Sequence, residues 1–279
     1  MLAATDDGLI DLADGAVLDP RSARFVDREG RALLCDGTLL DVERREAARV
    51  PGATCFAVTK DGTWLVGTDE ASLFVVRGGE AARVEAFERA PTRDAWHTPW
   101  GGPPAVRSVA VTPDRWYVSV HVGGVLISDD GGRSFTDTID LGVDVHQVVV
   151  DSDGGAWLAN GRGGLAHAAD GVAHERITEG LHATYARAVA VSGDRVFLSV
   201  STGPGGRRSA IYRARRDERR LERCPTPALS ANVDTHCLVA RGADVFAATR
   251  DAVFHSPNGG ARWSRIDARV RGVRALGGP

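Results

Sequence analysis

Lysine is almost absent from this chain. Lys60 is the only one, and the remaining basic residues are arginines. Methionine occurs once and cysteine four times, as Cys35, Cys55, Cys224 and Cys237. None of the cysteines forms a Cys-x-x-Cys pair, which leaves zinc-knuckle and dithiol-redox motifs without support. Each lies within or beside an apolar run, the setting of a buried reduced thiol. No apolar run approaches the roughly 18 residues of a membrane span. The opening residues Met1 to Asp7 show neither a basic n-region nor an apolar h-region, so no signal peptide is expected and a cytoplasmic location is. The formal net charge of −3 argues against a general nucleic-acid binder, which carries a strongly basic balance. Gly-x-Ser-x-Gly, His-Glu-x-x-His and Gly-x-x-x-x-Gly-Lys are missing too, so serine hydrolase, zincin and P-loop chemistries have no motif behind them.

What the chain does have is an ordinary globular balance, 43 % apolar and 25 % charged over 279 residues. It also has an internal repeat. Val106–Val111, Trp116–Val120, Gly124–Ser128 and Arg133–Thr138 are four short runs rich in β-branched or aromatic residues. Turn residues separate them, Thr112-Pro113-Asp114, Val122-Gly123-Gly124 and Asp130-Gly131-Gly132, as in a four-stranded antiparallel meander. The unit recurs over residues 22–50, 53–87, 106–138, 143–177, 184–224 and 232–266. The first ten residues match Val245–Phe254, so the chain starts at the second strand of a unit. The missing first strand comes last, at Arg271–Leu276, which makes residues 267–279 plus 1–20 a seventh unit. Seven units in 279 residues give about 40 each, the spacing of a propeller blade. The expectation is one all-β domain over 1–279, a seven-bladed β-propeller closed by pairing its C-terminal and N-terminal strands.

Ser128-Asp129-Asp130-Gly131-Gly132-Arg133-Ser134-Phe135 fits Ser-x-Asp-x-Gly-x-x-Trp/Phe, and Ser256 to Trp263 fits it with Asn258 for the aspartate. In this the chain resembles the BNR/Asp-box repeat family of sialidase-like, photosystem-assembly-factor-like and WD40/YVTN-type propellers. The resemblance implies that the box is the turn between third and fourth strands. The chemistry agrees: a short carboxylate or amide accepts bonds from nearby backbone N–H groups, and glycine supplies positive φ. The boxes are therefore structural, as are Trp64, Trp116 and Trp157, which recur at the start of second strands as core wedges.

Propellers of this type usually bind ligands over the central channel, at the face where innermost strands begin. At that register stand Thr54, Arg107, His146, Arg187, His236 and Arg271. Polar bulk just ahead of apolar strands is not needed for packing; long side chains covering the channel mouth are the structural alternative. Loops joining second and third strands add His121, Asn160, Arg162, Arg207, Arg208 and Arg250 in later blades, against Asp6, Asp7, Asp36, Asp69 and Glu70 in earlier ones. A polarised face would attract an anionic ligand or partner. Residues 88–104 form an unusually long connection bearing Trp96, His97 and Trp100. Its indoles either offer a stacking surface or pin the loop to a blade.

Two function classes follow. One is a non-catalytic binding propeller, expected to be a monomer, taking an anionic small molecule or a protein partner at a His/Arg-lined mouth formed by Arg107, His146, Arg187, His236, Arg271, Trp96, Trp100, His121, Arg162 and Arg250. It needs no cofactor, metal, membrane or nucleic acid. The other is an enzyme with its site at the same mouth, glycoside hydrolase-like or metal-dependent lyase-like. The Val145-His146-Gln147-Val148 strand start resembles propeller lyases with histidines on innermost strands. A sialidase, as the family resemblance implies, would carry an arginine triad with a Phe/Tyr-Arg-Ile-Pro segment and a tyrosine nucleophile paired with glutamate. That segment is missing, and no glutamate is evident beside Tyr117, Tyr185 or Tyr212. The binding propeller is the reading carried forward.

Overall fold

The computed structural model describes residues 1–98, 101–137 and 144–279. Among them, seven antiparallel four-stranded sheets form the blades of a β-propeller. Blade 1 runs Ala275–Gly277, Leu2–Thr5, Gly8–Asp11 and Val17–Asp19, from the inside out. The innermost strands of blades 2 to 7 are Ala23–Val26, Ala53–Val58, Val106–Val111, Val145–Val150, Tyr185–Ser192 and Leu238–Arg241. No helix is long and apolar enough to cross a membrane.

The C-terminal strand pairs with the N-terminal strands as anticipated from the sequence, but it spans Ala275–Gly277 rather than Arg271–Leu276. Leu2 pairs with Gly277, Ala3 with Leu276 and Ala4 with Ala275. The backbone N–H of Arg274 continues the ladder to the Ala4 carbonyl at 2.9 Å, and that of Leu276 reaches blade 7 at the His236 carbonyl, also 2.9 Å. Blade 1 thus has its full complement of four strands, and Leu2–Thr5 is paired on both sides.

Second strands such as Trp64–Thr68, Trp116–Val120 and Ala156–Asn160 are buried along their whole length. Both of their faces meet neighbouring blades, so they read as continuous apolar runs rather than alternating ones. Outermost strands such as Glu80–Arg83 and Thr136–Asp137 are exposed throughout and carry the charge. Apolar contacts lie between blades: one cluster joins Leu9, Phe25, Leu33, Leu39, Phe56 and Trp64, and another joins Trp157, Val189, Leu198 and Tyr212. Each such buried side chain contributes about 1.5–3 kcal/mol.

The Ser-x-Asp/Asn-x-Gly turns are self-contained. The Asp130 carboxylate accepts the backbone N–H groups of Arg133 and Ser134 at 2.9 Å and the hydroxyls of Ser128 at 2.8 Å and Ser134 at 2.7 Å. These donors hold its pKa well below the usual carboxylate range. Asn258 repeats the pattern, accepting from Arg262 N–H at 2.8 Å. Gly132 sits at φ 87°, and a Cβ there would lie 2.4 Å from the Trp116 ring.

The long connection after blade 3 is not structureless. It makes one helical turn at Glu85–Glu88 and a 3-10 turn at Arg93–Ala95. Trp96 follows with 6 % of its surface exposed. Its ring lies 5.3 Å from Phe87, which in turn meets Phe135 at 5.2 Å. Its indole N–H donates to the Thr92 hydroxyl at 3.2 Å. Trp96 therefore pins the connection into the seam between blades 3 and 4 and offers no stacking surface. Trp100 lies outside the described residues.

Two stability measurements follow. Removing residues 270–279 takes away the buried Val273, Ala275 and Leu276 and exposes an inner edge, so the melting temperature should fall by roughly 10 °C or more; an unchanged melt would refute ring closure. Asp130→Ala should lower it by only a few degrees and leave ligand binding untouched.

Candidate functional site

In five blades the innermost strand carries a β-bulge at its entrance. The ladder skips between Ala23 and Phe25, Ala53 and Cys55, Val106 and Ser108, Val145 and Gln147, and Ala186 and Val189. A bulge leaves one residue unpaired and re-aims its side chain. The residues so released include Arg24, Thr54, Arg107, His146 and Arg187, which explains why one register collects polar side chains ahead of apolar strands. In blade 7 the corresponding residue, His236, instead has a left-handed backbone, φ 65°.

Most of these side chains surround one cavity of about 520 Å³ at the channel mouth. Its lining includes Arg24, Arg107, Arg187, Arg250 and Arg274, against Asp69 and Asp234. Arg187 is held on both sides. It donates to Asp234 at 2.7 Å and to the Tyr185 hydroxyl at 3.1 Å. Burial would raise the Asp234 pKa, but Arg187 and Arg107 bring it below the ordinary value. Arg274 pairs with Asp6 at 2.5 Å, and Arg250 reaches the same carboxylate at 3.6 Å. Arg107 has a neutral partner, the Thr235 hydroxyl at 3.4 Å. The buried Nε of Arg24 has no acceptor among the described residues.

His236 forms the cavity floor. Among the described residues it alone lines both the mouth and a second cavity of about 360 Å³ deeper in the channel, walled by Val109, Val148, Val189 and Val239. Its ring crosses the channel, so that Nε2–H donates to the Arg107 carbonyl at 3.0 Å. The ring also meets Phe25 edge-on at 4.7 Å. Its backbone N–H donates to the Gln147 side-chain oxygen at 3.2 Å, which also accepts from Val189 N–H at 3.3 Å. Blades 4, 5, 6 and 7 are thereby tied across the axis. Burial, helped by the Arg107 charge, pushes the His236 pKa down to about 4. At neutral pH it is a neutral Nε2–H imidazole.

Besides Trp96, four members of the anticipated set, Arg271, His146, His121 and Arg162, lie away from the mouth cavity. Arg271 is exposed and pairs with Asp7 at 2.6 Å. A left-handed turn at Gly272, φ 64°, displaces the register by three residues, and Arg274 takes the place at the mouth. His146 is almost fully buried and aims between blades. Its Nδ1 donates to the Ala186 carbonyl at 2.7 Å, and its Nε2 lies 3.2 Å from Asp144 Oδ2. The other oxygen of Asp144 meets His121 Nε2 at 3.0 Å. His121 is equally buried and so belongs to this seam. Arg162 is exposed, its backbone N–H donating to the Asn160 side chain at 2.8 Å. The charge polarity of the face is also less than the loops suggest, because Asp7 pairs with Arg271 and Asp6 is shared by Arg250 and Arg274, which offsets two of these three positive charges.

Arg24, Arg274 and Asp234 escaped sequence reading. Blade 2 has a short innermost strand, and its register residue, Arg24, could have been found by alignment to Thr54 and Arg107. Nothing in the sequence separates Asp234 from any surface aspartate.

No family model matches the chain, and no curated protein does. Solved structures do match it in fold. Virginiamycin B lyase from Staphylococcus aureus aligns with a TM-score of 0.66 at 11 % identity, covering 89 % of this chain and 85 % of that one. The RRP9 WD40 repeats align at 0.64 and 13 % identity, covering 93 % and 84 %. The GH74 xyloglucanase from Xanthomonas campestris aligns at 0.60 and 14 % identity, covering 87 % of this chain and 45 % of that enzyme. Enzymes and repeat domains alike thus share the architecture.

The depressed His236 pKa has a stability consequence. Between the ordinary value of 6.5 and about 4, the unfolded chain takes up a proton that the folded channel refuses. Folding stability therefore falls as pH drops through that window. His236→Asn, chosen because asparagine tolerates positive φ, should flatten the stability-against-pH slope there. An unchanged slope in chemical denaturation would assign the effect to other groups.

Proposed function

We propose that this chain is a non-catalytic, BNR-type binding propeller whose channel mouth takes an anionic group, carried by a small molecule or a protein partner. One observation carries the reading: Arg24 and Arg107 line the cavity with no ion pair or carboxylate hydrogen bond of their own among the described residues, beside an Arg187 paired with Asp234. A guanidinium held in a half-buried cavity without a hydrogen-bonded carboxylate is a strong donor to phosphate or carboxylate oxygens. Low-dielectric walls strengthen that attraction. The neutral His236 floor blocks passage into the apolar part of the channel, so the bound group stays at the mouth.

Tyr185 supports binding over sialidase-like catalysis. Its hydroxyl accepts from Arg187 rather than pairing with a glutamate base. The two self-contained Ser-x-Asp/Asn-x-Gly turns are in keeping with the BNR type. The match to both enzymes and repeat domains leaves activity to the site, not the fold.

Inorganic phosphate is the probe. Titrated calorimetrically or by thermal shift, it should bind the native chain, and Arg107→Gln or Arg24→Gln should weaken it about tenfold or more, equivalent to roughly 1.4 kcal/mol. Arg271→Gln should have no effect. Equal phosphate affinity in all variants would overturn the assignment.

A further inference from the structure

His121, Asp144 and His146 bring three ligand atoms within 4.8 Å of one another at the seam of blades 4 and 5. They take no part in the mouth cavity. His121 follows the second strand of blade 4, and Asp144 and His146 sit at the entrance to the innermost strand of blade 5.

The proton inventory here is unusual. The Ala186 carbonyl can only accept, so the 2.7 Å contact places a proton on His146 Nδ1. In a neutral imidazole the lone pair then lies on Nε2, aimed at a carboxylate oxygen 3.2 Å away. Two lone pairs facing each other in a nearly dry seam are repulsive. Something positive must stand between them, either a second proton on the ring or a metal ion. His121 Nε2 approaches the same carboxylate from the other side at 3.0 Å.

We propose that His121, Asp144 and His146 bind a divalent d-block cation of the Zn²⁺ or Co²⁺ class. Imidazole and carboxylate together suit such ions, whereas Mg²⁺ and Ca²⁺ prefer all-oxygen shells. The two imidazole nitrogens lie 3.0 and 3.2 Å from the two oxygens of Asp144, one to each, and one ligand atom from each of the three residues falls within 4.8 Å of the others, close enough for one ion with bonds near about 2.0–2.1 Å to reach all three. The Nδ1–H bond from His146 to a backbone carbonyl is the outer-shell support that fixes ring orientation and tautomer in metal sites. Space has been kept for the group: a Cβ at Gly161 would lie 2.5 Å from Asp144 Oδ2 and 3.0 Å from the His146 ring. The Gly161 N–H also donates to the Asp144 carbonyl at 2.7 Å, fixing the backbone of the ligand. Three protein ligands leave a fourth position for water. The ion would staple blade 4 to blade 5, and through Ala186 to blade 6.

The test uses the full chain without a polyhistidine tag, stripped with EDTA. Co²⁺ titration should give one saturable equivalent with the visible absorption of a low-coordinate ion. Zn²⁺ should displace it and raise the melting temperature with concentration. His121→Gln and Asp144→Asn should lose the spectrum and weaken binding more than about tenfold. Gly161→Ala, which alters no ligand, should do the same by displacing the carboxylate. If the native chain shows no cobalt spectrum, or binds no more tightly than the His121→Gln variant, the seam is a protonated His–Asp–His cluster and the proposal falls. Phosphate affinity at the mouth should be unchanged by EDTA, so this site and the mouth fail or stand separately.

Discussion

Three residue pairs, Leu2 with Gly277, Ala3 with Leu276 and Ala4 with Ala275, turn a row of blades into a ring. A blade cannot bury both faces alone; each needs a neighbour on either side. With the ring open, blades 1 and 7 would expose apolar faces and an unpaired inner edge. With it closed, the innermost strands enclose a channel, and the polar residues at their entrances are brought together across it. The mouth cavity and its His236 floor both depend on that closure.

The bulges decide what the channel displays. A regular strand alternates its side chains between two faces, each covered by a neighbouring blade. Skipping one pair releases a residue from that alternation. Arg24, Arg107 and Arg187 reach the mouth by this device, whereas His146, released at the same register, turns into the seam, where its Nδ1–H finds the Ala186 carbonyl. Sharing a bulge register brings residues to one level of the ring; local hydrogen-bond partners then choose the direction.

Electrostatics separates two environments only a few strands apart. At the mouth, several guanidinium groups outnumber the nearby carboxylates, and the imidazole of His236 stays neutral under burial. In the seam, one carboxylate faces two imidazoles, and its pKa is held below the usual range despite burial. The first arrangement underlies the proposed anion site and the second the proposed cation site.

The architecture was legible because it is a repeat. Turn residues, apolar second strands and the split unit at the termini are local signals, and each recurs often enough to be counted. The structural role of the Ser-x-Asp/Asn-x-Gly turns and of Trp116 and Trp157 was legible for the same reason: their partners lie within or beside the same turn. The register of Arg107, Arg187 and His236 could be read, but not which of its members face one another. Arg271 gave way to Arg274 through a single left-handed glycine, and Trp96 went inward because Phe87 and Phe135, far apart in the chain, make a pocket for it. The sequence by itself determined the blades and their number, since local periodicity and turn chemistry specify them. Only the tertiary structure decided that Asp234 meets Arg187 and that Asp144 meets His121, because those meetings cross blade boundaries that ring geometry alone brings together.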